Sequence, residues 1–382
     1  MQNLLLTSAT FSFLIAFLAI PAVIRVADEK GLFDVPDSRK LHTKAIASLG
    51  GVGIFVGFFL SVLIFVPSQH NPEIQYIMAA ALLTFFLGIK DDILILSASK
   101  KFLGQLGAAA IVIHLAGIRI DSMHGFLGIY NLPELVSYPL TYITIVVIVN
   151  AFNLIDGVDG LAGSLGILTT GVFGIYFIMA NLPGYAMLSL ALMGSLSAFL
   201  VFNYHPAKIF MGDSGSLLLG LINAVLVIKF ITVADSASGG FAITSSVAIG
   251  FSILMIPLLD TLRVFSVRIA KGRSPFSPDR NHIHHLLLDR GFNHSQVTQI
   301  CLLMNAFFIA LAYFGRSIGS TILLTSMIAA SYALIGIVKY WKKRTVLVVA
   351  SSSFQNKNEQ QHINTNTKVV AFKNEEVAVA EQ

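Results

Sequence analysis

Apolar stretches close to 20 residues long recur along most of this chain. That is the length needed to cross a bilayer as a helix, so the stretches predict membrane-spanning helices. Charged residues make up 12% of the 382 positions, against about 25% in a soluble domain, and a soluble globular fold fits poorly. The expected fold class is all-α: a polytopic membrane helical bundle of about 11 spans. The spans are read at 3–25, 46–67, 74–90, 102–120, 137–153, 161–180, 184–203, 214–232, 243–267, 299–315 and 318–338. The N-terminal stretch has neither a basic leader nor a small-residue cleavage site, which predicts an uncleaved first span. The single cysteine, Cys301, excludes an internal disulfide.

Lys and Arg partition strongly between the connections. Odd-numbered connections and the C-terminal tail hold 22 of the 25, and only Arg119, Lys229 and Arg316 fall near the other face. The basic side is expected to be cytoplasmic, which places the N-terminus outside and the C-terminus inside. Residues 1–344 then form one membrane domain. The tail 345–382, rich in Asn, Gln and Ser, is expected to be disordered.

Polar clusters concentrate in the five connections on the basic side. The first reads DVPDSRKLHTKAIASLGG, with Lys40 and His42 ahead of Gly50-Gly51. Two readings fit it: a basic segment against an anionic leaflet, or a phosphate-binding loop whose glycines admit close approach of a backbone or ligand. The second contains Asp91-Asp92 and, one turn apart, Lys101 and Gln105. Consecutive helical residues diverge by about 100°, so one aspartate is expected to meet substrate while the other holds structure. The third, NAFNLIDGVDGLA, sets Asn150 and Asn153, and then Asp156 and Asp159, three residues apart. Each pair would share a face if the helix persists. Such uncompensated acids suit a divalent cation or sugar hydroxyls. In the fourth, FNYHPAKIFMGDSGS, Asp213 reads either as an N-cap of the next span or as a ligand for Mg²⁺ bridging phosphates, with Asn203 nearby. The fifth holds Arg280, His282, His284 and His285. It lacks the Cys or Glu partners of a zinc motif and reads better as a pyrophosphate clamp. Asp260 is read either as a partner of Arg263 or as a catalytic group.

Acids for a divalent ion, a basic clamp and a membrane location together suggest phosphoryl transfer between a soluble phosphate-rich donor and a phosphate-bearing lipid. The absence of a Walker-type loop argues against an ATP-driven pump.

In order and spacing, DVPDSRKLH, GIKDDILILSASKKFLGQ, NAFNLIDGVDGLA, FNYHPAKIFMGDSGS and PDRNHIHH closely resemble the polyprenyl-phosphate N-acetylhexosamine-1-phosphate transferases of glycosyltransferase family 4. PDRNHIHH is similar to the branch that starts O-antigen, common-antigen or teichoic acid synthesis. The chain departs from the family at Ala45–Gly50, where a proline-containing segment is usual. The resemblance implies transfer of a sugar-1-phosphate, N-acetylglucosamine-1-phosphate above all, from a UDP-N-acetylhexosamine to undecaprenyl phosphate, with release of UMP. It implies Mg²⁺, or Mn²⁺, at Asp213 and Asp156, and catalytic roles for Asp91, Asp92, Asp159 and Asp213. It assigns substrate to Lys101, Asn150, Asn153, Asn203, Arg280, His282, His284, His285, Lys40 and His42. The expected setting is the lipid bilayer of a bacterial inner membrane, with the site on the cytoplasmic face, no nucleic acid partner and a homodimer as one assembly. The rival readings are a muramyl-pentapeptide phosphotransferase and, in another class, a transporter or lipid flippase.

Overall fold

The computed structural model describes residues 2–34, 46–67, 69, 71–94, 96–235, 241–270, 272 and 282–340. The chain is almost entirely helical: α1 (Gln2–Lys30), α2 (Gly50–Phe65), α3 (Pro72–Leu94), α4 (Ala98–Ala110), α5 (Glu134–Ile155), α6 (Leu161–Met179), α7 (Pro183–Asn203), α8 (Gly212–Ala234), α9 (Ser246–Ile253), α10 (Met255–Ala270), α11 (Ile283–Leu288), α12 (His294–Phe314) and α13 (Ser320–Tyr340). Helix α4 runs on into a π-helical turn at Ile111–Leu115. Two short strands, β1 (Phe33–Asp34) and β2 (Ile46–Ala47), pair antiparallel. The tail from 341 onward, with Lys40, His42 and Arg280, lies outside the described residues.

Every expected apolar stretch coincides with a helix or a helix pair. By length and composition, seven of the described helices are able to cross a membrane, and α9–α10 would make an eighth. Helix α2, at 16 residues, is shorter than the span read there.

Helix α8 is the axis of the bundle. It packs against α3, α5 and α2, and nearly all of its side chains from Ser214 to Phe230 are buried. The helices of such a bundle meet through small residues, because hydrocarbon gives no hydrophobic drive for one apolar helix to prefer another over lipid. Gly51 lies against the backbone of Gly215, Gly88 against Ser214 and Gly220 against Val149, so each brings α2, α3 or α5 onto α8 at backbone distance. The amides of Gly50 and Gly51 donate to the carbonyls of Phe210 (2.9 Å) and Met211 (2.8 Å), and Phe210 N–H donates to Ala47. Gly50-Gly51 therefore admits another stretch of backbone, the one that leads into α8.

The stretch read as a single span at 243–267 is two helices, bent by 84° between α9 and α10. Pro257 has no N–H, so the carbonyl of Ile253 loses its helical donor. Asn305, fully buried on α12, replaces it: Nδ2 donates to Ile253 O at 2.9 Å and Oδ1 accepts from Ile256 N–H at 2.9 Å. One amide side chain thus satisfies both backbone groups that the bend exposes.

A Gly51→Ala substitution forces its new methyl into Gly215 and Ser214. It is expected to destabilise the protein by about 1–3 kcal/mol, the usual cost of overpacking, seen as a lower melting temperature in detergent. An unchanged melt would show that α2 and α8 are not held this closely.

Candidate active site

The site forms where the end of α3, the start of α4, the end of α5 and the start of α8 meet. Asp91 and Asp92 leave α3 in different directions. Asp92 accepts the backbone N–H groups of Asp213 (2.6 Å) and Ser214 (3.0 Å). A helix start has N–H groups with no partner inside the helix, and here a carboxylate from another helix takes two of them. Gly212 enters α8 at φ +70°, and a Cβ there would meet both oxygens of Asp92 at 2.8 Å. The cap of α8 is therefore Asp92 and not Asp213, whose own side chain is released into the site.

Asp91 accepts from Leu96 N–H at 2.5 Å and pairs with Lys101 Nζ at 2.9 Å. Lys101 also binds Asp213 Oδ2. Asn153 Nδ2 donates to Asp213 Oδ1 at 2.5 Å and to Ser216 Oγ at 2.9 Å. Asp213 is thus held from both sides, by a cation on α4 and an amide on α5. Asn150, one turn earlier, donates to Gln105 Oε1 at 2.8 Å and ties α5 to α4.

Asp156 and Asp159 do not share a helical face. Helix α5 stops at Ile155, and the turn that follows contains Gly157 and ends on Gly160 at φ +75°. The two acids consequently enter different environments. Asp156 makes no hydrogen bond or ion pair among the described residues. Burial, followed by the negative charges of Asp213, Asp92 and Asp159, pushes its carboxyl well above the usual range. Asp159 meets His205 Nδ1 at 2.7 Å, His294 Nδ1 at 3.4 Å and Ala207 N–H at 3.3 Å. Burial opposes its ionisation, but His294, His205 and the amide outweigh it and draw the carboxyl down to about 2. Asn203 is engaged at both ends of its amide: Oδ1 accepts from Gly160 N–H at 2.9 Å and Nδ2 donates to Ile209 O at 2.8 Å. It braces the turn and has little left for a ligand.

The histidines of the fifth connection reach the same turn. His282 Nδ1 lies 2.7 Å from Asp260 Oδ2, and Ile283 N–H donates to Asp260 Oδ1 at 2.6 Å. Asp260 therefore orients His282 and starts α11. His282 and His284 stack with ring centres 5.3 Å apart, and His285 lies 4.4 Å from His284. His284 packs on Gly157, where a Cβ would stand 2.8 Å from its Nε2. Burial pushes His284 down to about 3, so it stays neutral and is a hydrogen-bonding group, not the cationic arm of a clamp. Its Nδ1 is buried with no hydrogen-bond partner among the described residues.

Asp91, Asp92, Asp156 and Asp213 approach one another around a single nearby cation, Lys101, among the described residues. That excess of carboxylate oxygen, with Asp156 unpaired, suits a hard divalent cation. His205, His294 and Asn305 escaped the sequence reading, since each acts through a partner remote in the chain and carries no spacing signal; Asp260, read as a partner of Arg263 or as a catalytic group, meets His282 and the start of α11.

Residues 74–231 match Glycosyl transferase family 4. A probable undecaprenyl-phosphate N-acetylglucosaminyl 1-phosphate transferase of Bacillus subtilis (strain 168) is 33% identical over 302 residues, covering 78% of this chain and 81% of that protein. The undecaprenyl-phosphate alpha-N-acetylglucosaminyl 1-phosphate transferase of Yersinia pestis is 31% identical, covering 80% and 82%. A decaprenyl-phosphate N-acetylglucosaminephosphotransferase of Mycolicibacterium smegmatis is 31% identical, covering 76% and 77%.

Neutral His284 makes stability depend on pH. Above its ordinary value of 6.5 it is neutral whether the chain is folded or unfolded. Below 6.5 the unfolded chain takes up a proton that the folded one refuses until about 3, so stability is lost by up to about 1.4 kcal/mol per pH unit in that window. His284→Gln is expected to remove this slope, measured as the difference between wild-type and variant melts from pH 7 to about 4. Parallel profiles would contradict it.

Proposed function

Because this chain belongs to glycosyl transferase family 4, we propose that it transfers N-acetylglucosamine-1-phosphate from UDP-N-acetylglucosamine to undecaprenyl phosphate. The product is a lipid-linked sugar pyrophosphate, and UMP leaves. The carrying observation is the convergence of Asp91, Lys101 and Asp213, from three helices, into one charged contact at the end of the bundle. We place that end at the cytoplasmic face of a bacterial inner membrane, the side to which span parity assigns 22 of the 25 basic residues. A transporter would place its site near the midplane.

In this reading an oxygen of the lipid phosphate attacks the sugar-bearing phosphorus of the nucleotide. The phosphorus–oxygen bond to the uridylyl phosphate breaks, and its electron pair leaves with UMP. Lys101 holds the lipid phosphate beside Asp91. The second ionisation of a phosphomonoester lies near pH ~6, so the nucleophile is mostly a dianion at neutral pH. Asp91 is left to take the proton of the residual monoanion. Asp92 acts at one remove, by fixing the backbone that presents Asp213. Asn153 orients the Asp213 carboxylate, and His284 Nδ1 is free to bond the donor. Asp213 and Asp156 are the residues that would hold Mg²⁺, or Mn²⁺ in its place, and the ion would neutralise charge developing on the pyrophosphate. Lys40, His42 and Arg280, outside the described residues, are assigned to substrate by the family resemblance alone.

The test is UMP release from UDP-N-acetylglucosamine with undecaprenyl phosphate and Mg²⁺, alongside the muramyl-pentapeptide nucleotide as a competing donor. Lys101→Ala and Asp213→Asn are each expected to lower kcat by about 100-fold or more, the scale of a lost transition-state contact. Asp91→Asn is expected to be most impaired below pH ~6 and to recover above it, as the lipid phosphate loses its last proton. Failure to recover, with radiolabel trapped on the enzyme in the absence of acceptor, would establish a covalent aspartyl intermediate instead. Preference for the muramyl nucleotide would reassign the donor.

A further inference from the structure

The end of the bundle away from Asp213 holds a cavity of about 360 Å³. It lies where the starts of α3 and α7, the end of α8 and the segment after the π-helical turn meet, and Glu73, Arg119, Asp121, Tyr185 and Lys229 are among its walls. Lys229 stands about 24 Å along α8 from Asp213, at about 1.5 Å per residue. Helix α8 is long enough to cross a bilayer, so the cavity sits at the level of the opposite headgroups. Arg119 and Lys229 are two of the three basic residues that span parity leaves on that side.

Arg119 is fully engaged. Its Nε pairs with Asp121 at 2.5 Å, its Nη1 with Glu134 at 3.2 Å, and its guanidinium covers the Tyr138 ring at 5.0 Å. Lys229 is not. Its ammonium stands 4.7 Å from the centre of the Tyr185 ring and makes no hydrogen bond or ion pair among the described residues. Glu73 is near enough to act on that charge but does not pair with it. Tyr185 is 2% exposed, and its hydroxyl is buried with no hydrogen-bond partner among the described residues. Glu73 lies beside that hydroxyl without closing a bond to it. A buried hydroxyl is costly to leave unsatisfied. The cavity therefore presents one cation, one anion and one hydroxyl, each short of a partner.

We propose that this cavity binds a phosphoethanolamine group, carried by a phospholipid of the leaflet opposite the transfer site or by a soluble molecule of the same chemistry. Lys229 N–H and Tyr185 O–H donate to the phosphate oxygens, and Glu73 accepts from the primary ammonium. A zwitterion supplies both missing charges at once. A simple anion would answer Lys229 and leave Glu73 facing like charge. Asp121 does not replace Glu73, because Arg119 already holds it. A primary ammonium has N–H groups to give Glu73, whereas a quaternary one has none, so the site discriminates ethanolamine from choline.

The test titrates the full chain in delipidated detergent micelles with phosphatidylethanolamine, phosphatidylcholine and phosphatidylglycerol, reading bound lipid by native mass spectrometry. Phosphatidylethanolamine is expected to bind about tenfold more tightly than the other two, the scale of one charge-assisted hydrogen bond. Lys229→Gln should weaken phosphatidylethanolamine and phosphatidylglycerol alike. Glu73→Gln should weaken phosphatidylethanolamine and spare phosphatidylglycerol. Tyr185→Phe keeps the ring under Lys229 and should weaken both lipids, which decides the matter with Glu73→Gln even if Lys229→Gln does not fold. Equal binding of the three lipids by the wild type, or variants that bind as the wild type does, would overturn the proposal. Displacement of the lipid by an equal concentration of glycerophosphoethanolamine would assign the site to a soluble ligand, and failure to displace it to a membrane headgroup; either result upholds the phosphoethanolamine site. None of these readouts depends on UMP release.

Discussion

Two backbone N–H groups in the first turn of α8 point at the carboxylate of Asp92, on another helix. Those groups have no partner within their own helix, and an apolar bundle has little water to offer them. The contact exists because Gly88 and Gly51 let α3 and α2 touch α8 at backbone distance. It has two consequences. It joins the central helix to its neighbours at the end where the polar connections gather. It also frees Asp213 from the capping role its position suggests, so that Lys101 and Asn153 meet its carboxylate instead.

The charge arrangement follows from that placement. Several carboxylates draw together around one lysine, and Asp156 is left unpaired with its carboxyl pushed up by burial and by its acidic neighbours. Transfer between two phosphate-bearing substrates needs a site whose negative charge is incomplete without a cation, since the same cation then screens the phosphates. Asp159, three residues further on, is drawn in the opposite direction by His205 and His294. One five-residue turn thus separates two acids of the same type into two chemical environments.

The helical, membrane-embedded character of the chain was legible because it is a local property: a long apolar run can satisfy its backbone in hydrocarbon only by coiling. The gathering of Asp91, Lys101, Asn153 and Asp213 at one end was legible too, since span parity sends alternate connections to the same side. The bend between α9 and α10 was not. Pro257 marks a weak point in a helix but does not say that Asn305, from a different helix, will satisfy the opened backbone. Nor was the role of Asn203 readable, because an amide that braces a turn and an amide that binds a nucleotide have the same sequence signature.

What the sequence alone determined was the order of apolar segments and the gathering of Asp91, Lys101, Asn153 and Asp213 at one end of the bundle. Both depend on hydropathy and spacing along the chain. Tertiary structure decided which carboxylate caps, which pairs and which stays unpartnered. Those outcomes depend on distances of about 3 Å between residues remote in sequence. Close packing of glycine against backbone sets those distances, and hydrophobic periodicity does not encode them.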